Sequence, residues 1–207
     1  MKTKLPSAIS IFPLNGAIFF PRTNLPLNIF EKRYVTLIKD CLNKDKLFGM
    51  IQTKKNNSKQ TYSIGCLGKI TDCVETKDNR FLINLYGICR FKTITELNNN
   101  KLYREFSVDY AKFSHDTENE KKSKIFAKGI ISKSKLFFEK KGFSIDWKDI
   151  KLSNNIKKID TLIMILPFSN EEKQLLLETV KVSDRVSLLN QILNFYLSNY
   201  DESLNLQ

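Results

Sequence analysis

Between Ile11 and Tyr34 the apolar residues come in short runs, Ile11 to Leu14, Ala17 to Phe20 and Leu25 to Phe30, punctuated by Pro13, Pro21 and Pro26. Proline has no backbone N–H and a fixed φ, so it belongs at sheet edges and bulges and not inside a ladder or a helix. The stretch therefore reads as short strands. From Phe30 the period changes: Phe30, Tyr34, Leu37, Ile38, Cys41 and Leu42 form the stripe of an amphipathic helix of about three turns. Glu31 is placed in its first turn, where a carboxylate suits the positive end of the helix dipole.

The next segments alternate. Leu47 to Gln52 reads as a strand, Thr53 to Thr61 as a polar loop, and Ile64, Cys66, Gly68, Ile70 and Val74 as one face of a half-buried strand. After a turn over Glu75 to Asn79, Phe81, Ile83 and Leu85 resume the alternation, and Cys89 and Phe91 carry it past Gly87, where a bulge or bend is expected. Phe106, Val108 and Tyr110 mark a last strand. About six strands and one helix are the ingredients of a small, mostly antiparallel barrel.

Beyond Ser114 the segment from His115 to Lys124 is polar, and the apolar spacing then becomes helical. This sets the expected division: a β-barrel subdomain over 1–113 and a helical bundle over 114–207. One helix carries Phe126, Ile130 and Phe137 and ends at Gly142; a short one begins near Ile145 or Asp146. Another holds Ile156, Ile159, Leu162, Ile163 and Leu166 and stops at Pro167. Ser169 with Glu172 spells a capping box, and Ser183 or Asp184 caps a last helix through Leu197, with Asp201 to Gln207 a frayed tail. The fold class is α+β.

The residues Phe12-Pro13-Leu14, Phe20-Pro21, Leu25-Pro26-Leu27, Ile29-Phe30-Glu31, Arg33-Tyr34 and Phe48-Gly49-Met50 agree in type and spacing with a known family. The sequence resembles the substrate-binding domain at the amino end of the Lon proteases, which also occurs as a stand-alone protein. A second match runs from Leu166-Pro167-Phe168 through Glu171-Glu172-Lys173-Gln174 to Leu177-Glu178. Two positions depart from the pattern: Lys32 stands where proline is common, and Arg22 where glycine is frequent. The resemblance implies a PUA-like β pseudobarrel with one helix followed by a C-terminal helical bundle. It also implies a stand-alone, non-catalytic module that selects polypeptides. Phe12, Pro13, Leu14, Pro21, Phe30, Glu31, Arg33, Tyr34 and Gly49 are its structural motif, with Phe12, Phe20 and Phe30 read as core and Glu31 with Arg33 as a charged pair fixing the helix start above Tyr34.

The residues themselves offer little chemistry. His115 is the only histidine and lies in the polar linker, so one chain cannot assemble a histidine-based triad or a multi-histidine metal site. No nucleotide-binding glycine loop and no Gly-x-Ser-x-Gly elbow occur. Cys41, Cys66, Cys73 and Cys89 lie in apolar periodic segments without a Cys-x-x-Cys pair, which reads as reduced, buried thiols. No cofactor, no metal and no enzymatic activity are expected, and the lack of a leader or an apolar span points to a cytoplasmic protein without membrane partners.

Two binding surfaces follow. Adjacent residues of a strand face opposite ways, so one of Phe19 and Phe20 is expected at the surface, forming with Arg22, Leu25 and Met50 an apolar patch with a basic rim for extended polypeptide or a protein partner. The net charge of +12 supplies the alternative, RNA held by Lys54, Lys55, Lys59, Lys69, Arg80 and Arg90 if these converge on one face of the barrel. The oligomeric state is left open.

Overall fold

The computed structural model describes residues 5–54, 57–118, 128–147 and 155–204. The chain divides into two compact units, Met1–Glu118 and Asn119–Gln207.

The first unit holds β1 (Ala8–Leu14), β2 (Asn24–Ile29), α1 (Lys32–Leu42), β3 (Leu47–Lys54), β4 (Asn57–Glu75), β5 (Phe81–Leu97), β6 (Arg104–Asp109) and a 3-10 segment, Ala111–Thr117. The strand order is β2-β5-β4-β3-β1-β6, and β6 also pairs with β5, so five strands close a ring and β2 hangs outside it. β1 and β3 run parallel while every other pair is antiparallel. A parallel pair needs a crossover, and β2 with α1 provides it. Ile9, Ile11, Ile51, Leu67, Phe91, Phe106 and Val108 form a buried cluster inside the ring. Gly49 is there because a side chain would not fit: a Cβ would lie 2.8 Å from atoms of Ile9, Ile11 and Phe91.

One edge of β5 pairs with β4 and the other serves two neighbours. Its residues 81–86 hold β2 and its residues 92–97 hold β6. Between them Leu67 pairs with Cys89 but Gly68 with Gly87, leaving Ile88 as an extra residue, so the bend expected at Gly87 is a bulge. A second bulge joins the same glycine. Arg22 donates its N–H to the Gly87 carbonyl at 2.8 Å, and the Gly87 N–H donates to the Thr23 carbonyl at 3.0 Å. Two residues thus face one, with the first, Arg22, in the left-handed region at φ 64°. Glycine normally occupies that place.

Several expectations change. Residues 18–20 are buried and Ala17 half-buried, but the run 17–20 is not a strand. The polar loop expected over Thr53 to Thr61 is mostly hairpin, since β3 and β4 pair as far as Lys54 and Asn57; residues 55–56 lie outside those described. α1 starts one residue after Glu31, which is its N-cap with no side-chain cap bond and not a first-turn acid. Phe30 leaves the helical stripe and is 65% exposed, because it lies between the end of β2 and the start of the helix. Phe12 and Phe20 are core as expected. The Phe12 ring centroid lies 4.2 Å from that of Tyr34.

The second unit contains α2 (Lys128–Lys140), α3 (Asn155–Ile165), α4 (Asn170–Glu178) and α5 (Val182–Leu204). Gly142, at φ 71°, ends α2, and the Phe143 N–H returns to the Phe138 carbonyl at 2.9 Å. Pro167 follows α3, and Ser169 and Glu172 form the reciprocal capping box of α4. Tyr196 donates to the same Glu172 carboxylate at 3.0 Å, and its ring stacks on Phe168. Arg185 and Asp160 form a fully buried ion pair. Ser183 and Asp184 lie within the first turn of α5 and do not cap it. Phe126 lies outside the described residues, as does most of the helix expected near Ile145, and residues 143–147 are not helical.

Candidate functional site

One face of the first unit is built by β2, the first half of β5 and the last third of β4. Their register aligns Asn28, Leu82 and Val74 in one row, Pro26, Asn84 and Asp72 in the next, and Asn24, Tyr86 and Lys69 in a third. Alternation turns Phe81, Ile83 and Leu85 inward, so this parity faces solvent. It is not uniformly polar: beside Asn24, Asn28, Lys69, Asp72 and Asn84 it carries Val74, 61% exposed, and Leu82, 47% exposed, with Tyr86 and Pro26 also at the surface. Phe30 continues the β2 parity, and its ring lies 6.0 Å from the Arg80 guanidinium.

Charges frame these side chains in pairs. Arg80 bonds Asp78 at 2.7 Å, Arg33 bonds Glu31 at 2.8 Å and Lys39 lies 3.5 Å from Glu75. Thr71 and Asn84 cross-link the middle of the face through the Asn84 amide N–H, 3.0 Å from the Thr71 hydroxyl. The result is an apolar cluster at the Phe30 and Leu82 end of the face, flanked by ion pairs, a surface able to pack against aliphatic and aromatic side chains. The Glu31–Arg33 pair sits at the helix start as expected, with the Arg33 guanidinium 4.5 Å from the ring of the buried Tyr34.

The patch expected from sequence is elsewhere. Phe19 and Phe20 are both buried, and so is Met50 at 3% exposure. The premise that Phe19 and Phe20 must point opposite ways holds for a strand, and these residues are not in one. Arg22 and Leu25 are partly exposed, but Arg22 donates Nη1 to the Asp116 carbonyl at 2.7 Å.

The basic set does not converge as a group. Arg90 is 2% exposed and gives its Nε and Nη2 to the Asp116 carboxylate at 2.8 and 2.9 Å, with its guanidinium 4.4 Å from the Phe113 ring centroid. Lys54 and Arg80 sit beyond opposite ends of β4, and Lys69 lies between them on the strand. All three are exposed. Lys55 and the side chain of Lys59 lie outside what is described. His115 is exposed and pairs with Glu118 at 3.1 Å.

Burial pushes the thiols of Cys41 and Cys89 up to about 12, and Cys73 is also raised by burial. Such thiols are held protonated and are poor nucleophiles.

The residues missed in the sequence were Phe30, Val74, Leu82 and Tyr86. A signal existed for two of them: in the alternation of β5, the outward positions Leu82, Asn84 and Tyr86 include two large apolar side chains where a solvated face calls for polar ones.

A family model for the ATP-dependent protease La (LON) substrate-binding domain matches residues 8–194. The Lon protease of Desulfosudis oleivorans is 28% identical over 207 residues, covering 94% of this chain and 24% of that protein. Lon protease 2 of Myxococcus xanthus is 24% identical over 93% of this chain and 24% of its own length. The chain thus spans about a quarter of the length of these relatives. A Lon N-terminal domain protein from Xanthomonas campestris superposes with a TM-score of 0.65 at 18% identity, covering 90% of this chain and 98% of that one. The N-terminal domain of the Mycobacterium avium complex Lon protease gives 0.63 at 15%, with the same coverage.

Proposed function

The chain belongs to the LON substrate-binding domain family, and from that premise we propose that it is a non-catalytic module that binds exposed apolar segments of polypeptide on the outer face of β2, β5 and β4. The observation that carries this reading is the group Phe30, Leu82 and Val74, three large apolar side chains on one solvent-facing parity. A partly exposed side chain of this size that becomes covered contributes about 1 kcal/mol or more, so the three together favour an apolar client without a sequence-specific pocket.

The module works either as an adaptor that presents its client to a protease or as a holdase that keeps the client from aggregating. It acts in the cytoplasm through a PUA-like pseudobarrel, the helical unit being a bundle beside it in the chain. RNA is the weaker reading, since the burial of Arg90 against Asp116 removes one of its proposed contacts.

The test is fluorescence anisotropy with a labelled, reduced and alkylated polypeptide that cannot fold, and in parallel with a labelled single-stranded RNA, from about 50 to 200 mM salt. Polypeptide binding that survives salt and weakens about tenfold or more in the Val74→Ser/Leu82→Ser double variant is the expected result. RNA binding alone, steeply salt-dependent, would replace the proposal with its alternative.

A further inference from the structure

β2 stands outside the closed ring, and among the described residues β5 is its only partner strand. Among the described residues of the first unit, no other strand hydrogen-bonds along its far side. The hydrogen-bonding phase of that edge can be read from the bulge. The Gly87 N–H donates to the Thr23 carbonyl, and antiparallel pairs alternate between bonded and non-bonded. Leu25 with Leu85, Leu27 with Ile83 and Ile29 with Phe81 are therefore the bonded pairs. Asn24, Pro26 and Asn28 turn their backbone groups away from β5.

Pro26 fits this phase, because its missing N–H costs no bond to β5. The edge thus presents three carbonyls and two N–H groups, those of Asn24 and Asn28. The same three residues place their side chains on the apolar face beside Leu82, Asn84 and Tyr86.

We propose that the client segment binds as an added strand along β2, its backbone bonded to Asn24, Pro26 and Asn28 and alternate side chains lying against the Phe30 and Leu82 end of the face. This deepens the polypeptide-binding reading and rests on it. Only an extended main chain matches donors and acceptors at this spacing, and it gives affinity without demanding a sequence. Pro26 sets a selectivity: the client residue opposite it finds an acceptor but no donor. The first unit carries 19 Lys and Arg against 11 Asp and Glu, a net +8, so a segment with acidic flanks is favoured over one with basic flanks.

The probe is a labelled peptide of about ten residues, long enough to span the edge, with alternating Val and Thr between acidic ends. Two N-methylated versions remove the amide hydrogens of alternate residues in one register or the other. With the intact protein, one version should lose about tenfold or more in affinity, as two or more lost bonds require, and the other less than about twofold. Asn28→Pro, which deletes an outward N–H, should reproduce the loss at unchanged melting temperature; if this variant fails to fold, the methylated pair still decides.

Equal binding of both methylated peptides, together with loss on Leu82→Ser, would overturn strand addition and leave face binding standing. No binding of the parent peptide or of the unfolded polypeptide would overturn both. A concentration-dependent dimer in which Asn28→Pro restores the monomer would assign the edge to a second copy of the chain and overturn the proposal.

Discussion

Arg90 and Asp116 meet inside the first unit with almost no solvent access, the carboxylate receiving Nε, Nη2 and the Arg90 backbone N–H at 2.8, 2.9 and 3.0 Å. The pair ties the 3-10 segment to the second half of β5, and the Arg22 bond to the Asp116 carbonyl adds a third point of attachment. Asp116→Ala leaves a buried guanidinium without its carboxylate, and we predict a loss of about 3–5 kcal/mol in denaturant unfolding of the protein. Replacing both partners with apolar residues of similar volume should cost markedly less.

Arg22 occupies the glycine place of a bulge. Arg22→Ala removes the bond to Asp116 and keeps the left-handed backbone, whereas Arg22→Gly removes the bond and relieves the strain. The glycine variant should be the more stable of the two by about 1 kcal/mol, measured by parallel urea titrations, although both fall below the parent.

The thiols of Cys41 and Cys89 give a pH dependence. Their pKa is raised by burial from 9.0 to about 12 in the folded protein. Below pH 9 both states hold the protons and the contribution is fully present; as pH rises from 9 to 12 the unfolded chain ionises first and stability falls. Urea midpoints should drop over that window, with thiolate absorbance appearing only as the protein unfolds.

Leu82→Ser touches a solvated position and should change stability by less than about 0.5 kcal/mol while weakening polypeptide binding. A large drop in melting temperature would show that Leu82 supports the fold and not a binding face.

Ser169→Ala breaks the capping box of α4 and should cost about 1 kcal/mol. Tyr196→Phe, which removes a second bond to the Glu172 carboxylate, tests how far that cap depends on α5. A double-mutant cycle between the two measures the coupling.

Period-2 and period-3.6 patterns are carried by single residues, and they located the strands around Ile64–Val74 and Phe81–Phe91, the α1 stripe and the α4 cap, each decided by neighbours in sequence. What stayed hidden depends on partners far along the chain. Arg90 looks like a surface cation until Asp116 is brought to it. Phe20 and Phe30 share a composition, yet one is core and one is surface, because burial depends on what covers a residue and not on its type. The same holds for the outward side of β5, where Leu82 and Tyr86 carried a signal that the inward alternation overshadowed.

The ring has a temporal consequence. Ala8 pairs with Ser107 and Ile11 with Gly49, so β1, the earliest of the six strands to be synthesised, takes as one of its two neighbours the last, β6. Until β6 has emerged, β1 has one flank without a partner, and the interior residues Ile9 and Ile11 lack the cover of Phe106 and Val108. Loop closure of this length is costly, and the ring cannot close before β6 is made. Until β6 is made, the interior face of β1 is itself an exposed apolar segment of the kind proposed as a client.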